Sequence, residues 1–160
     1  MSTIIISPFS RKLPSGTRNP KDYPWWPELV QLLTSRGVTS MQIGVEGEPS
    51  IGASFRLNQV PLKKLAGLVE PATTWLSVDN FLPHFMAIMG AKKPGAVIFS
   101  RSSPTIFGYP WNVNLLKAGI SPRANQFASW TETPYDENAF MKPEEVMLKI
   151  AHLLEGKPNG

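Results

Sequence analysis

Apolar and polar positions along the chain fall into blocks that switch between a period of two residues and a period of 3.6. "TIIIS" (Thr3 to Ser7) is a short β-branched run and predicts a buried strand, followed by a long loop punctuated by Pro, Gly and Ser. "WWPELVQLLTSRG" sets Trp26, Leu29, Val30, Leu32 and Leu33 at helical spacing, with Pro27 in the first turn and Gly37 past the end, which predicts a helix. Further along, strands are expected at Thr39 to Val45, Thr73 to Val78 and Gly95 to Ser100. Helices are expected at Pro61 to Glu70 and Leu82 to Gly90, while Gly44, Gly47 and Gly52 loosen the segment after the second strand. After Ser100 the periodicity weakens, leaving one short strand within "NVNLL" (Asn112 to Leu116) in an otherwise loop-like, aromatic-rich stretch. The end of the chain opens with Pro143, Glu144 and Glu145, carries Val146, Ile150, Leu153 and Leu154 on one stripe and stops at Gly156, as an amphipathic helix does.

Strands alternating with helices imply an α/β fold, a Rossmann-like three-layer sandwich around a parallel sheet with right-handed crossovers. The 160 residues suffice for a single domain spanning 1–160. Every apolar run is broken well before membrane-spanning length, so no transmembrane segment is expected. The start "MSTIIISPFSRKL" has no preceding positive charge and no long apolar region of the secretory kind, which with the absence of Cys suits a cytoplasmic location. Having no Cys also excludes disulfides, a thiolate nucleophile and a cysteine-based zinc site, and no metal site is expected. The 16 Lys and Arg exceed the 12 Asp and Glu, an excess that favours an anionic partner. Because the basic pairs Arg11-Lys12, Lys63-Lys64 and Lys92-Lys93 are scattered, nucleic acid is the weakest candidate and a nucleotide a better one.

In "WLSVDNFLPHFMAIMG", Asp79, Asn80 and His84 interrupt two apolar runs where a strand hands over to a helix. In parallel sheets ligands bind at that end of the strands, and a helix N-terminus welcomes an anion. Asp and Asn are also ordinary helix N-caps, and Pro83 suits a first turn. Spacing leaves both readings open.

The stretch from Leu76 to Asn114 resembles the nucleotide-sugar-binding half of glycosyltransferase family 9, the ADP-heptose lipopolysaccharide heptosyltransferases and their relatives. Asp79-Asn80-Phe81 matches that family's Asp-(Ser/Thr)-Gly turn, His84 its histidine at a helix start, and Ser100-Arg101-Ser102-Ser103-Pro104 its Gly-Pro-Thr-x-Pro loop. Upstream, "GTRNPKDYPWWPELVQLL" is similar to the Arg-x-x-Lys-x-(Trp/Tyr)-Pro segment, and "QIGVEGE" to a strand-Gly-x-x-x-Glu segment. The resemblance implies that Lys21 contacts the donor's phosphate, that Glu48, or else Glu46, serves the ribose and base, and that Asp79 serves the sugar or diphosphate end. It also implies that the amides of Asn80 and Phe81 hold the phosphate, that His84 supports it, and that Arg101, Ser102 and Ser103 belong to a loop, running to Tyr109, that closes over the donor. Two positions depart from the pattern: Phe81 stands where the family has Gly, a residue able to take φ > 0, and Ser100 and Arg101 replace a Gly-Pro.

The family's enzymes use two such domains in a GT-B arrangement, one binding acceptor and one binding donor, and this chain resembles the second alone. The resemblance therefore implies a glycosyltransferase-like protein that binds a nucleotide-diphosphate sugar as substrate, with no further cofactor, as the donor half of a split or minimal enzyme. A non-catalytic nucleotide-sugar binder is the alternative. No catalytic residue is identified, because no general base for an acceptor hydroxyl is visible. An acceptor-binding partner subunit or a second copy of the chain would dock on loop aromatics among Trp25, Trp26, Phe107, Tyr109 and Trp111, although core packing is the better expectation for Trp26 and Trp111.

Overall fold

Ile4, Ile5 and Ile6 belong to a strand buried on both faces, with Ile4 and Ile6 turned to one core and Ile5 to the other, as the two-residue period requires. In the computed structural model, which describes residues 1–90 and 93–156, this strand is β1 (Thr3–Ser7). Lys92 of the Lys92-Lys93 pair and the last four residues lie outside the described residues. The other strands are β2 (Thr39–Gly44), β3 (Phe55–Asn58), β4 (Thr74–Val78), β5 (Ala96–Ile98) and β6 (Val113–Leu115). They form one sheet in the order β3-β2-β1-β4-β5-β6, with every neighbouring pair parallel. This is the doubly wound order, and the direction of winding reverses between β1 and β4, where Ile5 is registered with Trp75.

Helices cover both faces. α1 (Trp26–Ser35) and α5 (Pro143–Leu154) pack Leu29, Leu33, Val146 and Ile150 with Ile4, Ile6, Leu76 and Ile98. On the other face α2 (Leu62–Val69) and α3 (Phe81–Ile88) pack Leu65, Val69, Leu82 and Met86 with Ile5, Trp75 and Val97. Each such aliphatic side chain, fully buried, contributes about 1.5–3 kcal/mol, so two filled cores hold a sheet that has no disulfide. Trp75 fixes the second core: its Nε1 donates to the Lys93 carbonyl at 3.1 Å, and its ring leaves no room at Gly95, where a Cβ would come within 2.1 Å of it. Lys93 in turn donates from Nζ to the carbonyls of Val69, Glu70 and Ala72, closing the end of α2.

The helices and buried strands expected from periodicity are present, α3 starting one residue earlier, at Phe81. Four short elements are additional, two of them the 3-10 turns Trp130–Glu132 and Glu137–Ala139. β3 lies where the glycines suggested loose loop; it is an edge strand of sequence FRLN whose apolar–polar alternation spans only four residues, three of them exposed, too short a pattern to announce it. A single turn, α4 (Pro104–Phe107), follows β5.

Candidate functional site

The reversal between β1 and β4 opens a cleft of about 1090 Å³ at the carboxyl ends of the strands. The loop after β1 supplies Phe9, Ser10, Arg11, Lys12, Arg18, Lys21 and Asp22; the end of β2 and its loop supply Ile43, Gly44 and Val45 to Pro49. The connection into α2 adds Gln59, Val60 and Leu62, and the β4–α3 turn adds Asp79, Asn80, Phe81 and His84. Phe107 and Trp130 reach in from farther along the chain.

Asp79 is the hub. It is 7% exposed and accepts a hydrogen bond on Oδ2 from Ser102 Oγ at 2.7 Å, while its backbone carbonyl accepts one from Ser10 Oγ at 3.1 Å. Lys21 Nζ lies 3.7 Å from Oδ2, and His84 Nε2 lies 3.9 Å from Oδ1. His84 Nδ1 is 2.8 Å from the Tyr109 hydroxyl, and the Tyr109 ring stacks on Trp111 at 5.0 Å. Asp79 thus keeps a mobile ammonium at the mouth of the strands, where a bound phosphate would draw on it.

Asn80 provides the local scaffold. Its Oδ1 accepts from Leu82 N at 3.0 Å, capping α3, and its Nδ2 donates to Ser7 O and Oγ, both at 3.0 Å, and to Phe9 O at 3.2 Å. The same side chain therefore starts a helix and ties the β1 and β4 loops together. Leu82 N is occupied and Pro83 lacks a donor, while Phe81 N, at the start of the helix, has no partner among the described residues. Phe81 itself does not need the freedom of glycine: Gln59 is the one described non-glycine residue with positive φ, so Phe81 opens α3 unstrained, with its 46% exposed ring lining the cleft.

Asp22 lies next to Lys21. Its Oδ1 accepts from Ser10 N at 2.7 Å, and burial pushes its pKa from 3.8 up to about 6, against the pull of the Ser10 N–H, Arg18 and Lys21 and with a further push from Glu48. Arg18 stacks over Tyr135 at 4.3 Å, and Lys21 lies over Trp130 at 5.3 Å. At the other end of the cleft, Glu48 Oε2 accepts from Val45 N at 3.2 Å, and burial raises this carboxyl too. The carboxylate folds over Gly44, where a Cβ would sit 1.9 Å from Oε2. Gln59, in the left-handed region at φ 55°, donates its N–H to Gly44 O at 2.8 Å and its Nε2 to Glu46 Oε2 at 3.4 Å. The cleft therefore has a charged end around Lys21 and an end where Ile43, Val60, Leu62 and Leu65 form an apolar slot rimmed by Glu46, Glu48 and Gln59. A ligand with an anionic centre and a flat apolar end suits both.

Of the residues singled out in the sequence, Lys21, Glu48, Asp79, Asn80, Phe81 and His84 all line this cleft. Ser102 stands behind Asp79 as its hydrogen-bond donor. Ser103 N donates to Gln126 Oε1 at 2.9 Å, and Arg101 is engaged with Asp136 Oδ2 and Ser121 O, both at 3.2 Å; neither lines the cleft. Arg18 opens the Arg-x-x-Lys segment matched in the sequence, whereas Asp22, Gln59 and Trp130 carry no local signal and reach the cleft only through the fold. Trp26 is buried, with Nε1 donating to Pro8 O at 2.9 Å, whereas Trp111 is not packed into the core but half exposed on Tyr109. No helix among the described residues is long and apolar enough to cross a membrane.

Neither a family model nor a curated protein sequence matches the chain. Solved structures do match in fold. The E. coli ADP-heptose LPS heptosyltransferase II superposes with a TM-score of 0.69 at 16% identity, over 96% of this chain and 46% of that one. The E. coli heptosyltransferase WaaC with ADP gives 0.59 at 18% identity, over 95% and 44%. The dodecameric iron-containing heptosyltransferase TibC, in complex with ADP-D-β-D-heptose, gives 0.58 at 17% identity, over 90% and 36%. The six-stranded α/β fold is thus that of a portion of these heptosyltransferases, and the chain spans less than half their length.

Proposed function

We propose that the switch-point cleft binds a nucleotide-diphosphate sugar and that the chain acts as the donor-binding half of a glycosyltransferase. The observation that carries this reading is the convergence of Lys21 and His84 on buried Asp79 where β1 and β4 part, beside the unpartnered Phe81 amide. An ammonium and a helix-start amide meet the charge of a diphosphate, and the slot between Ile43 and Leu65 accepts a base. Glu48 and Glu46, which line the cleft, would accept from ribose hydroxyls. The heptosyltransferases that share the fold include one solved with ADP and one with ADP-D-β-D-heptose, which supports the same ligand class here.

In this reading Lys21 leaves Asp79 for the diphosphate and stabilises it as the acceptor oxygen bonds to the anomeric carbon and the diphosphate departs with the electron pair of the broken C–O bond; Lys21 then returns to Asp79. The base that takes the acceptor's proton comes from an acceptor-binding partner subunit or a second copy. A thermal-unfolding screen against ADP-, UDP-, GDP- and CMP-sugars, with the plain nucleotides beside them, tests the reading. A ligand that binds the folded chain raises its melting temperature, and no rise with any of them rejects the proposal. Binding without sugar transfer when candidate partners are added would leave a non-catalytic binder instead.

A further inference from the structure

The cleft's least expected member is Trp130, from a loop with no periodic pattern. It opens a single 3-10 turn (Trp130–Glu132), which Ser129 caps by accepting from Thr131 N. Arg123 holds the indole in place: its guanidinium lies 3.4 Å from the ring centroid and donates to Ser129 O, Thr133 Oγ1, Gln126 O and Ala128 O. Gln126 fastens the same loop to the strand ends, accepting from Ser103 N and donating to Arg101 O. Two further facts point from this rigid ring to a ligand. Lys21 Nζ, already beside Asp79, lies over the ring at 5.3 Å, so the indole adjoins the charged end of the cleft. Trp130 Nε1 has no hydrogen-bond partner among the described residues, whereas the buried indoles of Trp26 and Trp75 donate theirs to Pro8 O and Lys93 O.

We infer that Trp130 is the platform for the donor's sugar ring: with Lys21 drawn to the diphosphate, the indole face opposite Arg123 covers the pyranose C–H face and the indole N–H donates to a sugar hydroxyl. The inference rests on the nucleotide-sugar reading and adds which residue selects the sugar. A pyranose has an apolar face and a polar edge, and a tryptophan that is flat, half-buried and equipped with one donor matches both. The Arg123 stack and its four hydrogen bonds fix the ring before the sugar arrives, so little ordering accompanies binding.

Calorimetric titration of the parent, Trp130→Ala and Trp130→Phe with ADP and with ADP-glucose tests this. The expected pattern is tighter binding of ADP-glucose than of ADP by the parent, and a loss in Trp130→Ala that is about tenfold larger for ADP-glucose than for ADP. Trp130→Phe, which keeps an aromatic face but no N–H, should fall between, and a thermal melt of each variant checks that it is folded. Equal losses for ADP and ADP-glucose would show Trp130 serving Lys21 or the base and overturn the inference while sparing the nucleotide reading. Equal affinities of the parent for the two ligands would also overturn it. If the parent binds neither and no nucleotide sugar raises its melting temperature, the nucleotide reading itself fails, and this inference with it.

Discussion

Lys21 Nζ and Asp79 Oδ2 lie 3.7 Å apart across the boundary between the two halves of the sheet, one residue on the loop after β1 and the other at the end of β4. Side-chain exposures of 19% and 10% mark the pair as largely withdrawn from water yet still at the edge of the cleft. Such a pair repays its desolvation poorly unless its remaining valences are used. Asp79 spends one on Ser102 Oγ, and Lys21 keeps donors for a ligand.

Replacing Asp79 by Ala strands the buried Ser102 hydroxyl and leaves Lys21 without its partner. The expected cost is about 1–3 kcal/mol of stability, with Asp79→Asn costing less because it keeps an acceptor for Ser102. Urea denaturation of the two variants checks the order.

Asn80 combines a helix cap with ties to Ser7 and Phe9, so Asn80→Ala loses more than a cap alone. A loss of about 2 kcal/mol or more is expected, larger than for a typical surface N-cap. A change in melting temperature no greater than that of an exposed cap variant, such as Ser129→Ala, would show that the two loops hold together without it.

Asp22 makes the stability of the chain depend on pH in a defined direction. Its carboxyl holds a proton more firmly when folded, at about 6 against 3.8, so its stabilising contribution is complete below 3.8 and disappears as pH rises through about 6. At pH 7 the ionised group is a burden, and Asp22→Asn, which keeps the acceptor for Ser10 N, should stabilise the chain there by on the order of 1–2 kcal/mol after solvent screening is discounted. Below pH 4 the gain should vanish. Paired denaturation curves at pH 4 and pH 7 measure both.

Gly44→Ala places a methyl group where the Glu48 carboxylate now lies. That carboxylate is the end of a flexible side chain, so a cost of about 1 kcal/mol or less is expected, while Glu48 gives up its bond to Val45 N. A weaker affinity for nucleosides with little change in melting temperature is the predicted signature.

The sequence showed the strands and helices that bury a continuous or periodic apolar face, β1, β2, β4, β5, α1, α2 and α5, because burial itself writes that pattern. It did not show β3, whose FRLN lies exposed at an edge, or the ordered loop around Arg123 and Gln126, which is held by side chains bonding to backbone rather than by any periodic face. The site divides in the same way. Asp79, Asn80 and His84 interrupt an apolar run and so stand out, whereas Asp22, Gln59 and Trp130 look like ordinary loop residues until the sheet brings their segments together. Phe81 shows the limit of comparing motifs. A position expected to need glycine has a backbone that any residue adopts, so its ring is a cleft wall rather than a source of strain.

Lys21 is assigned to a diphosphate site, and calorimetric titration of the parent and Lys21→Ala, side by side, with the nucleotide sugar that most raises the melting temperature is the sharpest test of that assignment. One site per chain is expected in the parent, and an affinity weaker by about tenfold or more in Lys21→Ala, the loss of one charge-assisted contact, with the variant still folding normally. Equal affinities in the two proteins, or no saturable binding by the parent, would contradict it.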